Sequence, residues 1–176
     1  LALVQKMLEQ LPIPSIPGRV DLRLPAIIAG GTTMRTVAVH AEPDEDGWII
    51  RQFAADLPGR TKIEAQGKLS VGDDFGFVGD MLVASRQPSG LASWLNESVD
   101  EPIRKLDGAG FSGKVSLRKG QQRIDDLEIG LGETQLTGSF IREVSGNAEP
   151  SIKLDLNADK VGSDALKAMT GLIVGS

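Results

Sequence analysis

The chain opens with apolar side chains at Leu1, Val4, Met7, Leu8 and Leu11, the spacing of a helix. Pro12, Pro14 and Pro17 follow. Each fixes φ and lacks a backbone donor, so the helix is expected to end in an extended connector. The period then changes to two. Val20, Leu22 and Leu24 alternate with Asp21 and Arg23, and Val37, Val39 and Ala41 alternate with Thr36 and His40. The run from Trp48 to Phe53 is mixed. Ile63, Ala65, Gly67 and Leu69 alternate with Lys62, Glu64, Gln66 and Lys68, the signature of a strand with one wet face. Phe75, Phe77, Met81 and Val83 continue on one parity after Gly72-Asp73-Asp74.

Ser89 opens a helical stretch bearing Leu91, Trp94 and Leu95. A second short helix is predicted from the capping-box spacing at Ser98-Val99-Asp100-Glu101 to Leu106. Strands resume with Phe111, Val115 and Leu117, then Ile124, Leu127 and Ile129, then Leu136 and Phe140, then Ile152, Leu154 and Leu156. Ser163 caps a last helix carrying Leu166, Met169 and Leu172.

The two halves resemble copies. Ile50, Phe53 and Ala55 match Ile124, Leu127 and Ile129 at a constant offset. Leu57-Pro58-Gly59-Arg60-Thr61 answers Leu131-Gly132-Glu133-Thr134 with one residue missing, and Gly67 answers Gly138 across a two-residue gap that preserves parity. The period is about 73 residues, each unit being several strands and a helix that share a core with a neighbour. The expected organisation is a helix and Pro-rich connector over 1–17, a first β repeat over 18–107 and a second over 108–176, in one continuous sheet. The fold class that follows is mainly β with a few short helices: an antiparallel, twisted repeat sheet forming a groove or half-open barrel, with helices at the repeat ends.

Composition narrows the chemistry. Of 176 residues 21 are Gly, while aromatics make up only 4%, with no Tyr. The 24 acidic against 19 basic side chains give a net charge of −5, with no basic stripe and few stacking platforms for nucleic acid. With no Cys there are no disulfides, thiolate metal sites or Cys nucleophiles, and one His rules out multi-histidine metal sites. No stretch approaches the ~18–20 apolar residues of a membrane span. The chain begins at Leu1 with no leader-like segment, and we expect a piece of a longer polypeptide whose membrane anchor lies outside it.

Individual motifs are bland. Gly108-Ala109-Gly110-Phe111-Ser112-Gly113 matches the dinucleotide-binding string, but a helix precedes it and a strand follows, the reverse of what pyrophosphate binding needs. It reads as the glycine-rich start of a strand. Glu42-Pro43-Asp44-Glu45-Asp46-Gly47 resembles half a calcium loop, yet Phe53 stands where the bidentate Glu belongs. It reads as an acidic hairpin turn, Gly47 supplying a positive φ. His40 lies on the polar parity of its strand, where no sequence feature identifies a nucleophile or an orienting carboxylate. Ser116 and Lys119 would point to opposite faces, and Asn96-Glu97-Ser98 is a sequon only as a string inside a predicted helix. No catalytic residue, metal site or cofactor is expected. The apolar strand faces remain, and periodicity alone favours plain core over an open groove.

Gly47-Trp48-Ile49-Ile50 leading to Ala54-Ala55-Asp56-Leu57-Pro58-Gly59, then Lys62-Ile63-Glu64-Ala65-Gln66-Gly67, resembles the core of AsmA-like proteins of Gram-negative bacteria. Leu127-Glu128-Ile129-Gly130 to Leu136-Thr137-Gly138, and Leu154-Asp155-Leu156-Asn157-Ala158-Asp159, resemble the recurrence of that pattern. The resemblance spans roughly residues 19 to 162. It implies a periplasmic, inner-membrane-anchored protein that builds β grooves from repeats, takes part in outer-membrane biogenesis and phospholipid transport, and is not an enzyme. The expected partner is the acyl chain of a phospholipid. The residues expected to face it are Val37, Val39, Ile63, Ala65, Leu69, Phe75, Phe77, Val115, Leu117, Leu136 and Phe140. The alternative is a scaffold domain that binds an envelope protein through a sheet edge, its apolar face wholly used as core.

Overall fold

A computed structural model describes residues 17–29, 32–95, 104–144, 149–158 and 161–162. The period-two runs become nine strands: β1 Val20–Ala29, β2 Thr32–Asp44, β3 Gly47–Leu57, β4 Thr61–Ser70, β5 Gly76–Ser85, β6 Ala109–Arg118, β7 Gln121–Leu131, β8 Thr134–Glu143 and β9 Ser151–Ala158. All join one sheet in chain order, every neighbouring pair antiparallel. The sheet is open, with β1 and β9 as its edges. This is the mainly β, antiparallel architecture that the alternation predicts. The expected boundary at 107/108 falls between β5 and β6, and these two strands pair, so the sheet runs unbroken across it.

Helical structure is sparse among the described residues. Pro88–Leu95 forms α1, and Gly72–Asp74 makes a single 3₁₀ turn. Pro88 suits a helix start, where its missing N–H costs nothing. The predicted helices over Leu1–Leu11 and from Ser163 lie outside the described residues, as does most of the one from Ser98. α1 packs on the β3–β4 turn through two glycines. A Cβ on Gly59 would lie 2.7 Å from the Leu91 nitrogen, and one on Gly90 2.7 Å from the Gly59 Cα. Gly59 also has a φ of 78°, which only glycine adopts freely.

The mixed run around Trp48–Phe53 has a physical cause. Register between β3 and β4 shifts between Ile50 and Phe53, so Arg51 and Gln52 together face one residue of β4. This β-bulge sends both polar side chains to the same face and breaks the alternation. The same shift occurs between Ile124 and Leu127 in β7, around Asp125 and Asp126. A third, between Arg35 and Ala38 in β2, includes Thr36 at φ 52°. The matched positions of the two halves thus carry matched bulges. The glycine alignment is displaced, however. Gly138 pairs with Leu127, as Ala65 does with Phe53, whereas Gly67 pairs with Ile50.

Gly47 departs from expectation as well. It carries no positive φ; it begins β3 directly after the turn. Glycine is required there by space, because a Cβ would stand 2.0 Å from the Leu69 carbonyl oxygen. The Gly108–Gly113 string is the start of β6, as read from the sequence.

The core is built on one side of the sheet. Leu69, Phe77 and Val115 form one buried cluster, supported by Trp48, Ile50, Ala65, Phe75, Met81 and Ile124 among others. Leu131 and Leu136 form a second with Leu106, Ala109, Ile129 and Leu156. Thr61 is wholly buried at the start of β4. Its hydroxyl donates to Ser85 Oγ at 2.9 Å, and Ser85 donates on to the Gly59 carbonyl at 3.1 Å. That chain satisfies the buried polar atoms at the turn beneath α1.

Candidate functional site

Register assigns every strand residue to a face. One rung crosses all nine strands: Val20, Ala41, Ile50, Gly67, Gly79, Val115, Ile124, Phe140 and Leu154. Each member is aliphatic, aromatic or glycine. The parallel rung Ile63, Val83, Phe111, Ile129, Leu136 and Ala158 is apolar throughout. At a strand spacing of about 4.8 Å the apolar surface is roughly 40 Å wide. Polarity enters this face at both ends of the strands: buried Thr61, Ser85 and Thr134 lie on the rung through Ala109 and Leu131, and Gln122 and Arg142 stand between Leu117 and Ile152 at the other end.

Ten of the eleven residues expected to face lipid lie on this face, in β2, β4, β5, β6 and β8. Phe75 precedes β5, outside the sheet, and packs against the Leu69 cluster. The structure also separates the ten by exposure. Val37, Leu69, Phe77, Val115 and Leu136 are buried, whereas Val39, Ile63, Ala65, Leu117 and Phe140 are half-buried. The expected site omits Ala41, Ala55, Leu127 and Leu131, which are buried on the same side. Leu127 and Leu131 lie past the β7 bulge, where parity resets. The signal available was the break between Ile124 and Leu127.

Trp48 closes one end of the apolar face, opposite Leu69. Its indole Nε1 is buried with no acceptor among the described residues. An orphan donor of this kind costs about 1–3 kcal/mol.

The other face is largely polar, carries several ion pairs, and exposes Val78 and Leu82 among them. Arg51 donates to Glu42 at 2.8 Å, Lys68 to Asp44 at 2.7 Å, Lys114 to Asp126 at 2.7 Å, and Arg123 holds Asp125 through both oxygens at 2.6 and 2.7 Å. Hydrogen bonds from Arg51, Lys68 and Arg123 hold the carboxyls of Glu42, Asp44 and Asp125 below their ordinary range. The Asp44 and Asp126 hydrogen bonds raise Lys68 and Lys114. A depressed carboxyl contributes stability above its unfolded pKa and loses it as pH falls through the folded one. A raised lysine contributes below its unfolded pKa and loses it as pH rises through the folded one. We therefore expect urea midpoints flat between about pH 5 and 10, with the contribution of these pairs fading below about pH 4 and above about pH 10.5.

Asp44 and Asp46 of the acidic turn both reach Lys68, at 2.7 and 3.8 Å, so the resemblance to a calcium loop ends in an ion-paired hairpin. His40 also finds its partner here. Its Nε2 lies 2.6 Å from Asp21 Oδ1 on β1, directly opposite, and both are substantially exposed. Two shallow hollows, of about 630 and 320 Å³, open on this polar side. The larger lies between the two bulges, lined by Arg51, Gln52, Glu64, Gln66, Asp80, Lys114, Asp126 and Glu128 with neighbouring residues. Among the described residues no group of three or more His, Asp or Glu is placed to hold a metal ion, and no helix is long and apolar enough to cross a membrane. Comparison with protein-family models, curated proteins and solved structures returned no match.

Proposed function

We propose that this chain is a non-enzymatic periplasmic segment of an inner-membrane-anchored, AsmA-like envelope protein, serving outer-membrane biogenesis and phospholipid transport by holding acyl chains against one face of its sheet. The observation that carries this reading is the apolar rung from Val20 to Leu154, unbroken across nine strands. Each methylene buried against such a surface gains about 0.8 kcal/mol, so retention needs no directed side-chain chemistry. The ion-paired face opposite keeps the sheet hydrated. Half-buried Val39, Ile63, Leu117 and Phe140 are the positions left to meet a chain, the buried members forming the floor.

The expected result is phospholipid retained on the purified protein in native mass spectrometry. A photoreactive residue at Phe140 should crosslink to it, and Ile63→Asp should abolish that crosslink while the protein still folds. Lipid-free protein and an absent crosslink in folded protein would instead assign the face to core. The open edges β1 and β9 favour a second reading, a scaffold that captures an envelope protein by strand addition. On that reading Asp155→Pro removes the captured protein and leaves the lipid content unchanged.

A further inference from the structure

We propose that β9 is a self-association edge at which two copies of this chain pair antiparallel, about a two-fold axis at Leu154. The proposal stands apart from the lipid reading. β9 is exposed along nearly its whole length, with Ile152 at 56% and Leu154 at 38% exposure on the apolar face. Its other face carries Lys153 and Asp155, opposite Ile141 and Ser139 of β8, and neither has an ion-pair partner among the described residues. Among the described residues no strand pairs with the outer side of β9, and an edge of this kind is a template for another strand.

The sequence of β9 is complementary to itself in one register. Centred on Leu154, antiparallel pairing sets Lys153 against the partner's Asp155 and Asp155 against the partner's Lys153. The same register sets Ile152 against the partner's Leu156, Ser151 against the partner's Asn157, and Leu154 on its own copy. Both charge pairs fall on the polar side and all apolar pairs on the apolar side. An axis normal to the sheet preserves the faces, so the apolar surface runs on from one copy to the next. Cross-strand pairs of opposite charge stabilise and like charges directly opposite destabilise, so the register is selected by charge. β1 differs: Asp21 is engaged by His40. A head-to-tail join is disfavoured by strand count. With nine alternating strands, β1 and β9 run in the same direction, and a translated copy would introduce one parallel pair into an antiparallel sheet. Two-fold dimers are also the commonest closed assemblies.

The test is sedimentation velocity on the full 176-residue chain, with circular dichroism to confirm folding. Wild type should dimerise. Lys153→Asp and Asp155→Lys should each raise the dimer Kd about tenfold or more, each replacing two attractive pairs by two repulsive ones. An equimolar mixture of the two variants should associate, because each then presents the charges the other lacks, and the doubly exchanged chain should dimerise like wild type. Leu154→Cys supplies the only thiol in the chain, and it should form an intermolecular disulfide under mild oxidation because directly opposed residues stand about 4.5–5.5 Å apart. The proposal is overturned if wild type stays monomeric at its highest soluble concentration. It is equally overturned if charge reversal leaves association unchanged, or if the mixture and the double exchange fail to restore it, which is the outcome expected of a head-to-tail join to Asp21 and Arg23.

Discussion

Gly67→Val abolishes cooperative unfolding of this protein, or lowers its stability by about 3–4 kcal/mol or more, in a urea titration followed by circular dichroism. Gly67 and Gly79 face each other across β4 and β5 near the middle of the apolar rung. A Cβ on Gly67 would stand 2.2 Å from the Val78 carbonyl oxygen and 2.5 Å from the Gly79 Cα, at a φ of 151° that side chains rarely adopt. The obstruction is backbone, which no rotamer change relieves. Gly79→Ala should behave similarly, since its Cβ would meet the Gln66 oxygen at 2.0 Å. Gly130→Ala is the control. Nothing lies within 4 Å of a Cβ there, and stability should move by no more than about 0.5 kcal/mol.

Leu136→Asp costs about 4 kcal/mol or more at neutral pH. Leu136 is 3% exposed and packs within the cluster around Leu131. Truncation to Ala alone costs about 2–4 kcal/mol through lost contacts and the cavity left behind. The aspartate adds an unpaired carboxylate in an apolar setting. A proton removes that second cost, so the deficit relative to Leu136→Ala should narrow as pH is lowered toward 4. Burial therefore makes Leu136 a probe of packing, and half-buried Ile63 the better probe of lipid contact. An aspartate at each position separates two properties of one face.

The alternation from Lys62 to Leu69 was sufficient to place β4 and its wet and dry sides, and similar runs located the other strands. The failures cluster where geometry depends on a neighbouring strand. A bulge is a mismatch between two strands, so the mixed run around Arg51 and Gln52 could be seen but not interpreted from one of them. The same cause keeps Leu127 and Leu131, which follow Asp125 and Asp126, out of the expected apolar site. The parity of Phe75 matches that of Phe77, but the chain joins the ladder only at Gly76. A turn position suggests a positive φ at Gly47, whereas the determinant is the distance to the Leu69 carbonyl. The parity of His40 gives its face, but Asp21 becomes its partner only through the β1–β2 register. Lys153 and Asp155 gain their significance only from the position of β9 at the edge of the sheet.

Strict chain-order pairing also shapes how such a molecule is assembled and taken apart. Every strand bonds only to the strands immediately before and after it, and most hairpin connections are a few residues long. Loop-closure entropy grows slowly with length and stays small for such connections, and local pairing is what speeds folding in all-β chains. Each strand can add to a completed edge as soon as it leaves the ribosome, without waiting for a distant partner. The longest detour, from β5 through α1 to β6, divides the ladder into blocks of five and four strands. Amide hydrogen exchange should then be graded, fastest at β1 and β9 and slowest in the middle of the ladder, as in a zipper that opens from its ends.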